Sequence, residues 1–103
     1  MLADMEMQTQ AARSLVYRVA TLVDQGLTGK ALAPMAATAK CFATDIAMKV
    51  ALDAVQICGA SGIGGDFPIN RYMRDAKVLQ IIEGTNQIQR NIIANSLLGP
   101  IAK

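Results

Sequence analysis

The sequence contains no histidine, no tryptophan and only two cysteines, Cys41 and Cys58. Without histidine, Ser-His-Asp and Cys-His catalytic arrangements and histidine-rich metal sites are excluded. The cysteines form no CxxC motif, so they offer too few ligands for zinc and predict reduced thiols rather than a disulfide framework. We therefore expect no bound metal, and any proton transfer falls to a carboxylate, a lysine or a tyrosine.

Long uncharged apolar runs and basic clusters are also missing. No stretch reaches the roughly 18 apolar residues of a membrane span, and the net charge of +2 comes from basic residues spread along the chain. We expect no membrane span and no nucleic-acid partner. The opening "MLADMEMQ" lacks the basic region of a leader peptide. Because an amphipathic pattern is already in phase there, we expect the chain to be a piece of a longer polypeptide.

Alanine and aliphatic residues supply most of the hydrophobic fraction of 52%, because only four residues are aromatic. The length of 103 residues predicts a single domain, 1–103. Apolar residues recur with a period near 3.6, and no strand pattern is present. This pattern predicts helices over about 3–25, 34–58, 71–82 and 86–98, with Pro34 in the first turn of the second helix. The predicted fold class is all-α, an up-down helical bundle.

The stretch "GASGIGGDFPIN" separates the second and third predicted helices. Its glycines do not indicate a dinucleotide fingerprint, because a helix rather than a strand precedes them. We expect an irregular loop of about a dozen residues, a length that is often functional. Arg71, Arg74 and Lys77 follow as a small basic group, which phosphate binding, a solvated flank or a salt bridge with Asp75 explains equally well.

Glu83 is the only acidic residue after Asp75, and it follows two isoleucines at a predicted helix break. A carboxylate held against aliphatic surface should have a raised pKa, which suits a general base. The plainer interpretation, favoured on these residues alone, is an exposed side chain with Gly84 as a helix C-cap. Five other acids, which share polar or small neighbours, are interpreted as solvated: Asp4, Glu6, Asp24, Asp45 and Asp53.

Polar residues crowd the predicted start of the last helix, namely Thr85, Asn86, Gln87 and Gln89. Free backbone N–H groups and a hydroxyl at a helix start can receive an anion or a ring carbonyl. Simple capping by Thr85 explains the same residues.

The segment "QICGASGIGGDFPINRYMRDAKVLQIIEGTNQIQRNIIANSLLG" resembles the carboxyl-terminal end of the acyl-CoA dehydrogenases, and "LADMEMQTQAARSLVYRVATLVDQG" resembles an earlier helix of the same domain. The most specific parts are "MRDAK" and "EGTNQIQR". The resemblance implies a helical-bundle domain that lacks its first helix and the amino-terminal and middle β-domains of the family. Ile82, where tyrosine commonly stands, and Ala60, where a second glycine is frequent, depart from the family pattern.

The resemblance also implies an FAD-dependent flavoenzyme of fatty acid metabolism that introduces a double bond into acyl-CoA thioesters. Glu83 would be the catalytic base and Gly84 would contact the substrate thioester through its backbone. The residues implied for FAD contact fall in two groups: Thr85, Asn86 and Gln87, and the segment Gln56, Ile57, Cys58, Gly59 and Ala60, which meets the flavin of a neighbouring subunit.

The implied partners are acyl-CoA, an electron-transfer flavoprotein as electron acceptor, and further copies of the chain in a homotetramer or dimer. The expected location is the bacterial cytoplasm, and the mitochondrial matrix is the second choice. We expect the chain to be inactive by itself. Two alternatives remain open: a non-catalytic helical module for oligomerisation, and an acyl-CoA oxidase-type relative in which oxygen takes the electrons.

Overall fold

The computed structural model describes residues 1–99, which form five α-helices. They are α1 (Leu2–Asp24), α2 (Gly29–Cys58), α3 (Ala60–Ile63), α4 (Ile69–Ile81) and α5 (Asn86–Leu98). These residues include no β-strand, and the predicted all-α class is confirmed. No helix among them is both long enough and apolar enough to cross a lipid bilayer.

The turn after α1 forms where the sequence places Gly26. The N–H of Gly26 donates to Val23 O, and the N–H of Leu27 donates to Leu22 O, both at a distance of 3.0 Å. This pair of hydrogen bonds is the Schellman motif. Gly26 has a φ of +99°, a conformation that glycine adopts without a Cβ penalty. The chain therefore reverses within four residues, and α1 and α2 pack together as an αα-hairpin.

Helix α2 begins at Gly29, five residues before the predicted start at Pro34, which lies inside the helix. Proline lacks an N–H and disturbs the carbonyl four residues earlier. Here that carbonyl belongs to Lys30 in the first turn, so only one hydrogen bond at the helix end is lost. The proline is consequently tolerated one turn further in than the sequence pattern predicted.

The glycine-rich stretch after α2 contains one short helix, α3, where the sequence predicted only irregular backbone. A single turn is too short to leave a readable apolar period. Helix α4 begins at Ile69, two residues earlier than predicted, and ends one residue earlier. Helix α5 has the predicted bounds, because Thr85 caps its start and Gly99, with a φ of +76°, follows its end.

Helix α2 is the centre of the fold, since α1, α4 and α5 all pack against it. The buried apolar residues are small: Ala12, Val19, Ala37, Ala39, Cys41 and Ala76. Small side chains let the helix axes approach closely, so the packed surface is narrow. Many large apolar side chains of residues 1–99 stay exposed, among them Leu52, Val78, Leu79, Ile81, Ile82, Leu97 and Leu98.

Candidate active site

The connection between α4 and α5 carries Glu83 on an unusual backbone. Ile82 is extended, with φ −75° and ψ 161°, and Glu83 and Gly84 then both have positive φ, +56° and +85°. Glu83 is the only non-glycine residue with positive φ among residues 1–99. Such a conformation costs roughly 1–3 kcal/mol and persists where surrounding contacts enforce it. The strain thus marks Glu83 as a candidate functional residue.

Two side chains hold this connection by its carbonyl groups. The buried amide of Gln89 donates to Glu83 O (3.1 Å) and to Gly84 O (3.2 Å). From the middle of α2, the Lys40 ammonium donates to Gly84 O over 2.9 Å. The two adjacent left-handed residues are therefore tied both to the helix that follows them and to the central helix.

A polar network extends from Lys40 into the contact between α2 and α5. Lys40 Nζ also donates to Asn86 Oδ1 (2.7 Å), and Asn86 Nδ2 donates to Thr44 Oγ1 (2.9 Å) and Asp45 Oδ1 (2.6 Å). Asn86 is only 3% exposed, and its side-chain amide is hydrogen-bonded to residues of α2. This asparagine fixes the first turn of α5 on the central helix.

At the far end of the network, the Asp45 carboxylate accepts hydrogen bonds from more than one helix. Gln80 of α4 donates to Asp45 Oδ1 (2.9 Å), and Arg90 of α5 forms an ion pair with Asp45 Oδ2 (2.5 Å). Burial alone would raise the pKa of Asp45, but the hydrogen bonds from Arg90, Gln80 and Asn86 outweigh it and lower that pKa. The carboxylate therefore stays ionised and joins three helices.

Burial also raises the pKa of the neighbouring Cys41 thiol, although the positive charge of Arg90 opposes the shift. The thiol is buried and lies 3.8 Å from Asn86 O, as a weak donor. A protonated, buried thiol of this kind is a packing group rather than a nucleophile.

The carboxylate of Glu83 is exposed, and so are Ile81 and Ile82, at 54% and 45%. The expected aliphatic enclosure is therefore not formed by the described residues. The reason is geometric: the connection lies at the edge of the α2–α4–α5 packing, whose buried interior is filled by small side chains. No cation lies within 4.0 Å of this carboxylate among residues 1–99. It is therefore accessible and unpaired within that part of the chain.

The two backbone groups of Gly84 differ in their hydrogen bonding among residues 1–99. Its carbonyl oxygen accepts from Lys40 and Gln89, whereas its N–H has no acceptor within residues 1–99. This N–H remains able to donate to a ligand carbonyl next to the Glu83 carboxylate.

Three neighbouring residues predicted to contact FAD differ in what they can offer. The Thr85 hydroxyl caps α5 by accepting from Ile88 N (3.3 Å), and its own proton has no acceptor among residues 1–99. Gln87 is exposed, so its side chain can reach a ligand. Asn86 does not fit a side-chain contact with FAD, because its amide is buried against α2. Only its main chain can serve a cofactor in this arrangement.

The second predicted FAD segment lies elsewhere. The residues Gln56, Ile57, Cys58, Gly59 and Ala60 are all exposed, at the end of α2 and the start of α3. Asp45, next to Asn86, precedes this segment by about 16 Å along the α2 axis at 1.5 Å per residue. One copy of the chain thus does not bring the two groups together, and they are compatible with a cofactor shared between copies.

Sequence reasoning missed Lys40 as a site residue, named Gln89 only as one of the polar residues at the start of the last helix, and wrongly interpreted Asp45 as a solvated acid. Asp45 has small and polar neighbours in the sequence, but its partners lie on α4 and α5. A local pattern carries no signal for such pairs. For Gln89, the cluster of polar residues at the start of the last helix was the available indication.

The basic group after the glycine-rich stretch has local partners. Arg74 donates to Asn70 (3.2 Å), Lys77 donates to Gln80 (3.1 Å), and the Arg71 guanidinium lies 5.6 Å from the ring centre of Tyr72. The salt bridge to Asp75 is not formed among the described residues. Within residues 1–99, no group of three or more His, Cys, Asp or Glu side chains is assembled that could hold a metal ion.

Comparisons with known proteins agree with the fold and with the sequence motifs. A family model described as acyl-CoA dehydrogenase, C-terminal domain, matches residues 1–98. An acyl-CoA dehydrogenase of Bacillus subtilis is 56% identical over 99 residues, which are 95% of this chain and 25% of the relative. The chain thus spans about a quarter of the length of the curated relatives that it matches.

Two solved structures have the same fold. Butyryl-CoA dehydrogenase from Megasphaera elsdenii superposes with a TM-score of 0.88 at 46% identity, over 94% of this chain and 24% of that one. A chain from the structure titled as the electron transferring flavoprotein of Acidaminococcus fermentans superposes with a TM-score of 0.89 at 49% identity, over 97% of this chain and 26% of its own. The chain belongs to the acyl-CoA dehydrogenase C-terminal domain family.

Proposed function

We propose that this chain is the C-terminal portion of an FAD-dependent acyl-CoA dehydrogenase and that Glu83 is its general base. The observation that carries the proposal is the exposed Glu83, whose carboxylate has no ion-pair partner among residues 1–99 and whose backbone is held at positive φ by Lys40 and Gln89. A base must be accessible to its substrate and fixed in position, and this connection meets both requirements.

The chain's own residues then have distinct roles. Glu83 removes the α-proton of the acyl-CoA thioester, and the N–H of Gly84, which has no acceptor among residues 1–99, donates to the thioester carbonyl. Bound FAD supplies the acceptor for the β-hydride, so that the α,β-double bond forms. The Thr85 hydroxyl and the exposed Gln87 amide would contact FAD, and a second copy of the chain would add Gln56 to Ala60.

The mutation Glu83→Gln in the full-length protein tests the base directly. Glutamine keeps the shape but cannot accept the proton, so we expect turnover to fall by about two to four orders of magnitude with FAD still bound. Glu6, the only other glutamate, is exposed on α1, and Glu6→Gln is the matched control. A near-normal rate for Glu83→Gln would place the base elsewhere.

The chain alone should be inactive, because the described residues do not enclose the Glu83 carboxylate. Titration of FAD into the 103-residue chain, followed by an acyl-CoA turnover assay, measures this directly. Tight stoichiometric FAD binding together with turnover would contradict this part of the proposal.

For the electron acceptor we propose an electron-transfer flavoprotein, and for the location the bacterial cytoplasm, in keeping with the bacterial relatives. An acyl-CoA oxidase would use the same base but pass the electrons to oxygen. Turnover of the full-length protein with and without oxygen, in the presence and absence of an electron-transfer flavoprotein, separates the two activities.

A second candidate function is assembly into a homotetramer or dimer, with or without catalysis. The observation that favours it is the exposure of large apolar residues, including Ile81 (54%), Leu97 (79%) and Leu98 (79%). Apolar surface of this kind marks association sites. Sedimentation equilibrium tests the proposal, and a strictly monomeric species at high concentration would argue against it.

A further inference from the structure

We propose that Lys40 and Gln89 are positioning residues for Glu83, and this inference rests on the proposed function. The two side chains act as a clamp that holds the Glu83–Gly84 backbone in its left-handed conformation. Neither side chain forms a hydrogen bond to the Glu83 carboxylate among residues 1–99. The clamp therefore fixes the main chain and leaves the proposed base free to accept a proton.

The clamp grips two consecutive carbonyl groups from two directions. Gln89 reaches both oxygens from the first turns of α5, at 3.1 and 3.2 Å. Lys40 reaches Gly84 O from α2 at 2.9 Å, across 44 positions of sequence. Because the two donors come from different helices, a rotation of the connection would break at least one of these bonds.

The use of Lys40 is not that of a surface lysine. It is half-buried, it forms no ion pair among residues 1–99, and its ammonium donates to the oxygens of Gly84 and Asn86. Hydrogen bonds from an ionised donor are roughly twice as strong as neutral ones. A cation directed at a backbone carbonyl next to a proposed base, rather than at a carboxylate, indicates a positioning role.

The rest of the polar network fixes the position of the Lys40 side chain. Asn86 accepts from Lys40 and donates to Thr44 and Asp45. Asp45 in turn holds Gln80 and Arg90. The position of the Lys40 ammonium is thus set by contacts from α4 and α5 as well as from its own helix.

The catalytic consequence follows from the strain at Glu83. Without the clamp, the connection can relax out of its positive-φ conformation and carry the carboxylate with it. A displacement of about 1 Å at a reacting group can lower a rate by about a hundredfold. Substrate binding depends on other surfaces as well, so the loss should fall on kcat more than on KM.

The test compares Lys40→Met and Gln89→Met in the full-length holoenzyme. Both substitutions keep the approximate side-chain length and remove the donors. We expect kcat to fall about tenfold to a hundredfold with KM changed by less than about threefold. Lys49→Met is the matched control, because Lys49 lies on the same helix, is exposed, and its side chain forms no hydrogen bond or ion pair among residues 1–99. Its kcat should remain that of the parent.

A second readout does not depend on turnover. Hydrogen–deuterium exchange of the peptide that spans the connection should be at least about tenfold faster in Lys40→Met, and unchanged in Lys49→Met. Lys40→Arg retains a charge and several donors, and it should keep more of the parent kcat than Lys40→Met. This partial rescue would not be expected if Lys40 served only to fill space. If Lys40→Met does not fold, Gln89→Met and Lys40→Arg are compared by the same two measurements.

Parent-like kcat and parent-like exchange in Lys40→Met and Gln89→Met would overturn the clamp, even if Glu83→Gln is inactive. Equal losses of kcat in Lys40→Met and Lys49→Met would also overturn it. Full activity in Glu83→Gln would instead overturn the proposed function. The two proposals can therefore fail separately.

Discussion

The side-chain amide of Gln89 and the backbone of Gly84 occupy adjoining space with almost no room between them. Gln89 Nε2 donates to Gly84 O over 3.2 Å, and a Cβ built on Gly84 would lie 2.7 Å from the same nitrogen. The glycine therefore serves two purposes. It permits a φ of +85°, and it leaves space for the amide that holds the preceding carbonyl.

Gly84→Ala should destabilise the chain by about 1–3 kcal/mol, because it combines positive-φ strain with displacement of the Gln89 amide. Chemical denaturation measures the change in the free energy of unfolding. Gly65→Ala is the matched control, since a Cβ there meets no atom of residues 1–99 within 4 Å and the residue has no positive φ. If both variants unfold at the same denaturant concentration, the close fit at Gly84 is without energetic consequence.

Local chemistry made parts of the fold predictable from the sequence. Thr85 is a good N-cap at the start of an apolar period, and α5 begins where that pattern predicted. The start of α2 was not predictable in the same way, because Pro34 is a strong but ambiguous signal. It is common at a first turn, yet one turn further in it costs only one hydrogen bond at the helix end.

The candidate site, like the fold, could be predicted only in part from the sequence. Glu83 and Gly84 stand out in the sequence because they interrupt a run of apolar residues, although these residues alone favoured an exposed side chain beside a capping glycine. The partners that hold them could not be predicted, since Lys40 and Gly84 are 44 positions apart and neither one predicts the other. Asp45 is the clearest case: its sequence neighbours suggest a solvated face, whereas Gln80, Asn86 and Arg90, which bind its carboxylate, lie on α4 and α5.

Thr85 offers a way to separate capping from cofactor contact. Thr85→Val removes the hydroxyl that accepts from Ile88 N, and it should cost about 1 kcal/mol of stability. Thr85→Ser keeps the hydroxyl and should retain the stability. If the hydroxyl also contacts FAD, Thr85→Val of the full-length protein should bind FAD more weakly than Thr85→Ser. Equal FAD affinities, measured by titration, would leave Thr85 as a cap only.

Gly62 controls the approach of α3 to the end of α2. It is buried, and a Cβ there would lie 2.9 Å from Val55 O and 3.0 Å from Val55 Cα. Backbone atoms cannot move aside easily, so Gly62→Ala should push α3 away and destabilise the chain by about 1–3 kcal/mol. Thermal unfolding measures the loss.

The control for that experiment is Gly64→Ala, two residues along the same segment. Among the described residues its Cβ would meet only Ala60 O, at the ordinary contact distance of 3.8 Å, so the Tm should stay close to that of the parent. Because α3 starts within the proposed Gln56–Ala60 cofactor segment, Gly62→Ala in the full-length protein should also weaken FAD binding. Unchanged FAD affinity with reduced stability would remove this segment from the proposed cofactor site.

The lowered pKa of Asp45 predicts a pH dependence of stability with a definite sign. A carboxyl whose folded pKa lies below its ordinary value of 3.8 stabilises the fold fully above that value. The contribution is lost as the pH falls through the folded pKa. Asp45→Asn cannot titrate, so between about pH 5 and about pH 2 its free energy of unfolding should decline less steeply than that of the parent.

Denaturant unfolding at a series of pH values measures this difference, and Asp53→Asn controls for the removal of a carboxylate from the same helix. Asp53 makes no ion pair or side-chain hydrogen bond among residues 1–99, so its removal breaks no network. Arg90→Met should act like Asp45→Asn in the acid range, because it withdraws the main partner that lowers the pKa of Asp45. If the free energy of unfolding falls with the same slope in Asp45→Asn and the parent, the Asp45 carboxylate does not stabilise the contact between the three helices. The position of Lys40 is then set by packing alone.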